Sequence, residues 1–300
     1  MKNIIYVFAG ACSYGVLSMF VKLAYDDGYD VNQVLGSQML FGFTMFMLLR
    51  VFRSYPRLPV TAVLQLMGLG ATTGLTGVFY YSALQTIPAS IAIVLLFQFT
   101  WIGVLIESVL HRQRPSRAQM FALLLLILGT VLAGGVLGPG AGLSELALSG
   151  ILFGLLSAVS YALFIVYSGK ISASAPALQR SVLVSFGSLV TCFLIFPPTF
   201  LLDGSLFSGT LPMWGLLLGL FGPVIPILLF TKGVPHIGGS LASILSAAEL
   251  PVAVITSWLV LKETVTPLQW SGTIIILIGV VLPEWLSYRS QAKRTSTDTL

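Results

Sequence analysis

Apolar runs of about twenty residues, parted by short polar breaks, recur along the whole chain. They fall at 4–24, 32–51, 60–83, 88–109, 118–137, 147–169, 179–202, 212–234, 238–261 and 267–287. A helix of about 20 residues crosses a ~30 Å hydrocarbon core, so each run predicts a membrane span. Nothing remains between them for a soluble domain. The pattern predicts an all-α polytopic membrane protein with ten transmembrane helices. The first run lacks a small-residue cleavage site before the Asp26-Asp27 pair, so it is expected to be a retained helix.

Composition supports this solvent assignment. Hydrophobic residues make up 56% of the chain and charged ones 8%, against roughly 25% charged in a typical soluble domain. With ten spans and a cytoplasmic N-terminus, every Lys and Arg except Lys22 and Lys262 falls on the cytoplasmic side. Asp26, Asp27, Asp30, Glu145, Asp203 and Glu263 fall on the other. That asymmetry follows the positive-inside rule, so the net charge of +5 reports topology and is not a nucleic-acid footprint. Both termini are predicted to be cytoplasmic. Cys12 and Cys192 lie inside spans and read as small packing residues.

The chain also resembles itself. Shifted by 150 residues, the stretch beginning QTIPAS overlays the one beginning PHIGGS without a gap. Ser90 meets Ser240, Gln119 meets Gln269, and Gly129 meets Gly279. A shift of 147 places Ser13-Tyr14 on Ser160-Tyr161. A repeat of five spans is odd-numbered, so its copies must cross the membrane in opposite senses, an arrangement found in secondary transporters. The predicted halves are 1–137 and 147–287, joined by a linker at 138–146 and followed by a cytoplasmic tail at 288–300.

Several spans carry polar residues that lipid would not welcome. Glu249 lies near the middle of SILSAAELPVAVITSWLVL, two residues before Pro251. An intramembrane acid costs several kcal/mol unless paired, hydrated or protonated, and such residues mark transport paths. Pro251 frees an upstream carbonyl, which is tolerated only against protein or a wet cavity. Polar stripes recur at helical spacing: Tyr14, Ser18 and Lys22; Thr73, Thr76 and Tyr80; Gln98 and Trp101; Ser157, Tyr161 and Phe164. Each stripe alone fits helix–helix packing equally well. The eighth span holds Pro223, Pro226 and Pro235, helix breaks whose freed carbonyls would serve a solute or a kinked structural helix.

The stretch AELPVAVITSWLVLKETVTPLQWSGTIIILIGVVL, residues 248–282, resembles the EamA family of the drug/metabolite transporter superfamily. The resemblance lies in Pro251, Glu263, Thr266, Gln269, Gly272 and Gly279, with FVKLAYDDG (20–28) and YYSALQTIPAS (80–90) matching in the first half. The chain departs from the family pattern at Gln38, where an Arg is common, and in FQFTW (97–101), which lacks a proline. The basic HRQRPSR (111–117) also replaces an acidic helix end. The resemblance implies two five-helix repeats and a substrate site among helices one, three, four, six, eight and nine. The substrate-binding candidates are then Tyr14, Ser18, Lys22, Thr76, Tyr80, Gln98, Trp101, Tyr161, Phe164 and Glu249. Glu249 is also the proton-coupling candidate, and Pro223, Pro226 and Pro251 are the helix breaks.

Enzyme signatures are missing. The only Gly-Lys pair, Gly169-Lys170, precedes Ile171, so there is no nucleotide-binding phosphate loop. With two histidines and no nucleophile–base pair, neither a metal centre nor a hydrolase site is expected. No cofactor is expected either, and the partners are a small solute and the lipid bilayer. The sequence therefore predicts a secondary transporter of the bacterial inner membrane moving a small polar metabolite, such as an amino acid or its derivative. The resemblance favours export. An importer, an exchanger and a non-transporting membrane partner are the rival readings.

Overall fold

Pro197-Pro198, Pro223 and Pro251 punctuate the helices. The computed structural model describes residues 2–51, 55–87, 89–134, 147–207, 209–262 and 264–297, with backbone alone at 89, 90 and 283–297. The predicted linker at 138–146, Arg53, Glu145, Glu263 and the last three residues of the tail lie outside them. The first half contains α1 (Lys2–Asp26), α2 (Val31–Val51), α3 (Val60–Leu84), α4 (Ala89–Leu96), α5 (Phe99–His111) and α6 (Arg117–Ala133). The second contains α7 (Leu148–Ser168), α8 (Ala177–Ile195), the short α9 (Thr199–Leu202), α10 (Leu211–Gly219), α11 (Ile225–Ile237), α12 (Gly239–Ser246), α13 (Glu249–Leu259) and α14 (Pro267–Thr297).

Among the described residues, eight helical stretches are long and apolar enough to cross a membrane. Arg117–Ala133 and Pro267–Leu282 are shorter apolar helices. The run predicted at 179–202 stops as a helix at Ile195, because Pro197 and Pro198 offer no amide to continue it.

Two spans are broken at positions 150 residues apart. Between α4 and α5, Gln98 N donates to Leu95 O at 3.1 Å and Thr100 N to Phe97 O at 3.2 Å. Between α12 and α13, Ala248 N donates to Leu245 O at 3.1 Å and Leu250 N to Ala247 O at 3.3 Å. Both breaks are tight i→i+3 turns. Pro251 accounts for the second, since it leaves the Ala247 carbonyl without its usual donor. The first has no proline. There the Gln98 side chain donates to Val94 O at 2.8 Å, taking the carbonyl that its own amide would have used.

The helix pairing has the same regularity. α1 packs on α11 and α13, while α7 packs on α3 and α5. α2 packs on α10, and α8 on α3. α6 and α14 face each other through Gly129 and Gly279. A Cβ on Gly129 would lie 2.9 Å from Gly272 O, and one on Gly279 would lie 3.3 Å from Ala122 O. Both helices start with equivalent caps. The Ser116 amide donates to Gln119 Oε1 at 2.8 Å, and the Thr266 amide to Gln269 Oε1 at 2.9 Å.

The prolines of the eighth span shape it differently from one another. A π-turn at Leu220–Val224 joins α10 to α11 and contains Pro223. Pro226 cannot donate to the Phe221 carbonyl, and Ser13 Oγ of α1 donates to it instead at 2.8 Å. Pro235 likewise leaves the Thr231 carbonyl open, and the buried Arg180 donates to it through Nη1 at 2.9 Å. Arg180 Nη2 also donates to the carbonyl of Ser168, the last residue of α7. The carbonyls freed by Pro226 and Pro235 are therefore held by protein groups, in place of the solute contact that the sequence allowed.

Candidate functional site

A cavity of about 540 Å³ lies among α1, α2, α3, α4, α7, the π-turn and α13. Its floor is built by close backbone contact. Gly15 of α1 sits against the start of α13, where a Cβ would stand 2.5 Å from Glu249 O. The missing side chain lets Tyr14 and Glu249 line the same chamber. Replacing Gly15 by Val would force the two helices apart. Overpacking of this kind costs about 1–3 kcal/mol, so Gly15→Val is expected to lower the thermal midpoint in detergent, whereas Gly68→Ala, which meets no neighbour within 4 Å, should not.

Glu249 is half-buried, and its Oε2 is buried without a hydrogen-bond partner. Tyr14, Tyr80 and Tyr161 lie within electrostatic reach of its carboxyl. The rings of Tyr14 and Tyr161 meet edge to face at 5.9 Å. The Tyr161 hydroxyl is buried within hydrogen-bonding reach of the Glu249 carboxyl, while Gln38 Oε1 on α2 is buried and unpartnered. A carboxyl oxygen and an amide oxygen thus border one cavity with bonding capacity unused. Such capacity in an apolar surround is costly unless a solute or water fills it.

Tyr14, Ser18, Lys22, Thr76, Tyr80, Tyr161, Glu249 and Pro223 all line this chamber. Ser18 and Thr76 turn their hydroxyl protons back to their own helices, onto Gly15 O and Thr72 O, both at 2.8 Å. Three candidates do not line it. Gln98 is occupied by Val94 O and accepts from Trp101 Nε1 at 2.8 Å, and Trp101 is 37% exposed on the outer face. Phe164 is fully buried below the floor, stacked on Tyr161 at 6.5 Å and tilted against Phe230 at 6.0 Å. Of the other helix breaks, Pro226 and Pro251 also stand off the lining. Helical spacing placed these residues on the right spans but could not resolve which neighbour each would meet.

The lining also includes Gln38, Thr73, Tyr25, Tyr81, Ser257 and Gln269. Gln38 was legible as a polar residue inside an apolar run. Tyr25 and Tyr81 carried no such signal, because tyrosine is common at membrane borders.

The cavity reaches one end of the bundle only. Lys22, Thr264 and Val265 line it at the end carrying the α1–α2 turn. Toward the other end, where α6 begins with Arg117, it stops at aromatic rings. Phe99 packs on Tyr161 with centroids 4.6 Å apart, and Phe164 and Phe230 follow beneath. Among the described residues no group of three or more His, Cys, Asp or Glu side chains could hold a metal ion.

Apolar helices around a polar and aromatic chamber define an integral membrane protein with an interior cavity of solute size. Residues 1–135 and 148–283 match the EamA-like transporter family, and the chain belongs to that family. It is a membrane transporter of small molecules. It is 29% identical over 276 residues to an uncharacterized transporter of Archaeoglobus fulgidus, covering 92% of this chain and 94% of the relative. It is 31% identical over 199 residues to the uncharacterized inner membrane transporter YicL of Salmonella typhimurium, covering 65% and 63%. A solved crystal structure superposes with a TM-score of 0.74 at 19% identity, covering 95% of this chain and 98% of that one, a likeness of fold.

Proposed function

We propose that the chain is a secondary transporter of the bacterial inner membrane, exporting a small polar metabolite such as an amino acid or amino-acid derivative by alternating access. Ten spans form two inverted halves, 1–137 and 147–287, with both termini in the cytoplasm. The matched breaks, the reciprocal contacts of Gly129 and Gly279, and the equivalent helix pairings support this arrangement. The likeness to an inner membrane transporter supports the location.

One observation carries the assignment of the site. The Glu249 carboxyl stands on the floor of a 540 Å³ chamber with Oε2 unpartnered and tyrosines around it. It suits a substrate amino group, and in the empty cycle it is the group that would carry a proton. Tyr14, Tyr80 and Tyr161 form the aromatic wall. Phe99 occupies the position 150 residues before Glu249 and is fully buried, so the acid belongs to one half alone.

The test compares metabolites in medium and cytoplasm between cells expressing the chain and cells carrying an empty vector. A compound with a primary amine is expected to accumulate outside only when the chain is present. Accumulation inside would reverse the direction. No difference, together with no ligand-induced stabilisation of the purified protein across an amine library, would overturn the transport reading.

A further inference from the structure

Glu107 lies on α5, one turn before its end, at the end of the bundle opposite the cavity mouth. Its side chain is 13% exposed, with Oε2 3.0 Å from Lys170 Nζ and Oε1 3.1 Å from His111 Nε2. Lys170 Nζ and His111 Nε2 are themselves 3.0 Å apart. The same carboxylate stands over the first residues of α12, where a Cβ on Gly239 would come 2.8 Å from Oε2. One acid therefore pairs α5 with Lys170, two residues beyond α7, and stands against the start of α12. Of these helices, α7 reaches the cavity through Tyr161, and α5 packs beneath it through Phe99. A carboxylate at a helix start is also favoured by the helix dipole.

We propose that Glu107, Lys170 and His111 form an ionic gate that shuts the cytoplasmic end of the transport path. This rests on the orientation and the alternating access proposed above. Phe99, Tyr161, Phe164 and Phe230 fill the space between the chamber and the gate. For the path to open there, α5 must part from α7 and α12; the carboxylate is paired across the first gap and packed against the second. The opposite end is built differently. Ser257 occupies the position 150 residues after Glu107, and it lines the cavity. A charged latch at one end and a hydroxyl at the matching place explain why the chamber reaches one end of the bundle and stops short of the other.

The experiment uses the full chain with Cys12→Ala, Cys192→Ala and Thr76→Cys, which places one thiol on the cavity wall. A membrane-impermeant methanethiosulfonate is applied to right-side-out and inside-out vesicles. In this parent the thiol is expected to react from the outside and slowly from the cytoplasmic side. Glu107→Gln is expected to raise the cytoplasmic rate about tenfold and lower the outside rate. Glu107→Lys combined with Lys170→Glu is expected to bring both back toward the parent, which loosening of the fold would not do.

An unchanged cytoplasmic rate in Glu107→Gln, with the parent still labelled from outside, would overturn the gate and leave the transporter standing. A rise from both sides that the charge exchange fails to reverse would mark the cluster as a structural tie, and also overturn it. Labelling of the parent from neither side would remove the chamber as an aqueous path, and the transport reading with it. Labelling of the parent from the cytoplasmic side alone would reverse the orientation and exclude the gate.

Discussion

Glu249→Gln is expected to lower substrate transport about 30- to 100-fold while leaving the protein at least as stable as the parent. The two halves of that expectation have separate causes. A hydrogen bond to a charged partner contributes about 1.5–3 kcal/mol, and each 1.4 kcal/mol is tenfold in affinity, so loss of the ionic contact weakens binding by that order. The acid itself stands in an apolar surround with Oε2 unpartnered, and burying an ionisable group there opposes folding. The amide removes that cost. A residue held for packing or pairing would show the reverse, stability lost and transport kept. Initial uptake rates into everted vesicles, beside thermal unfolding in detergent, read both quantities. Wild-type transport by Glu249→Gln would remove the acid from the path. Glu249→Asp keeps the charge but withdraws it by one methylene, so an intermediate rate is expected.

Arg180→Met is expected to reduce stability by about 2–4 kcal/mol, on the range for a hydrogen-bonded buried charge whose partners are left unpaired. Methionine fills much of the same volume but leaves the carbonyls of Ser168 and Thr231 without their donor. Thr231 is exposed to this loss because residue 235 is a proline. Pro235→Ala restores an amide one helical turn away, and should recover part of the stability in the Arg180→Met background. Recovery stays partial, since Ser168 O ends α7 and gains nothing. The four corners of the cycle, read as thermal midpoints in detergent, give the coupling between the two positions. Zero coupling would mean that Arg180 does not stand in for the missing amide. This residue counted in the sequence as one more cytoplasmic cation. In the fold it is 1% exposed and binds backbone.

Prolines show where legibility stops. Pro223, Pro226, Pro235 and Pro251 each announced a disturbed helix, because a missing N–H and a fixed φ act locally whatever the surroundings. What each released carbonyl would meet was invisible. Ser13 and Arg180 come to theirs from 208 and 51 residues away. The break at Gln98 shows the same limit from the other side. No proline marks it, and the glutamine that read as a site residue instead spends its amide on Val94 O and its oxygen on Trp101. Glu107 was passed over because an acid near a helix end is unremarkable in sequence. Only the approach of Lys170, His111 and Gly239 makes it a junction.

By itself the sequence determined the solvent, the apolar helices, their approximate ends and the acid within the apolar run. All of these follow from transfer free energy and backbone geometry, which a residue carries with it wherever it sits. The tertiary structure decided which polar residues share a chamber, where that chamber ends, and which carbonyls and charges satisfy one another. Those depend on approaches of a few ångströms between helices far apart in the chain. Such approaches are set by steric details like the bare Cα of Gly15 against Glu249, and a single ångström separates a lining residue from a packed one.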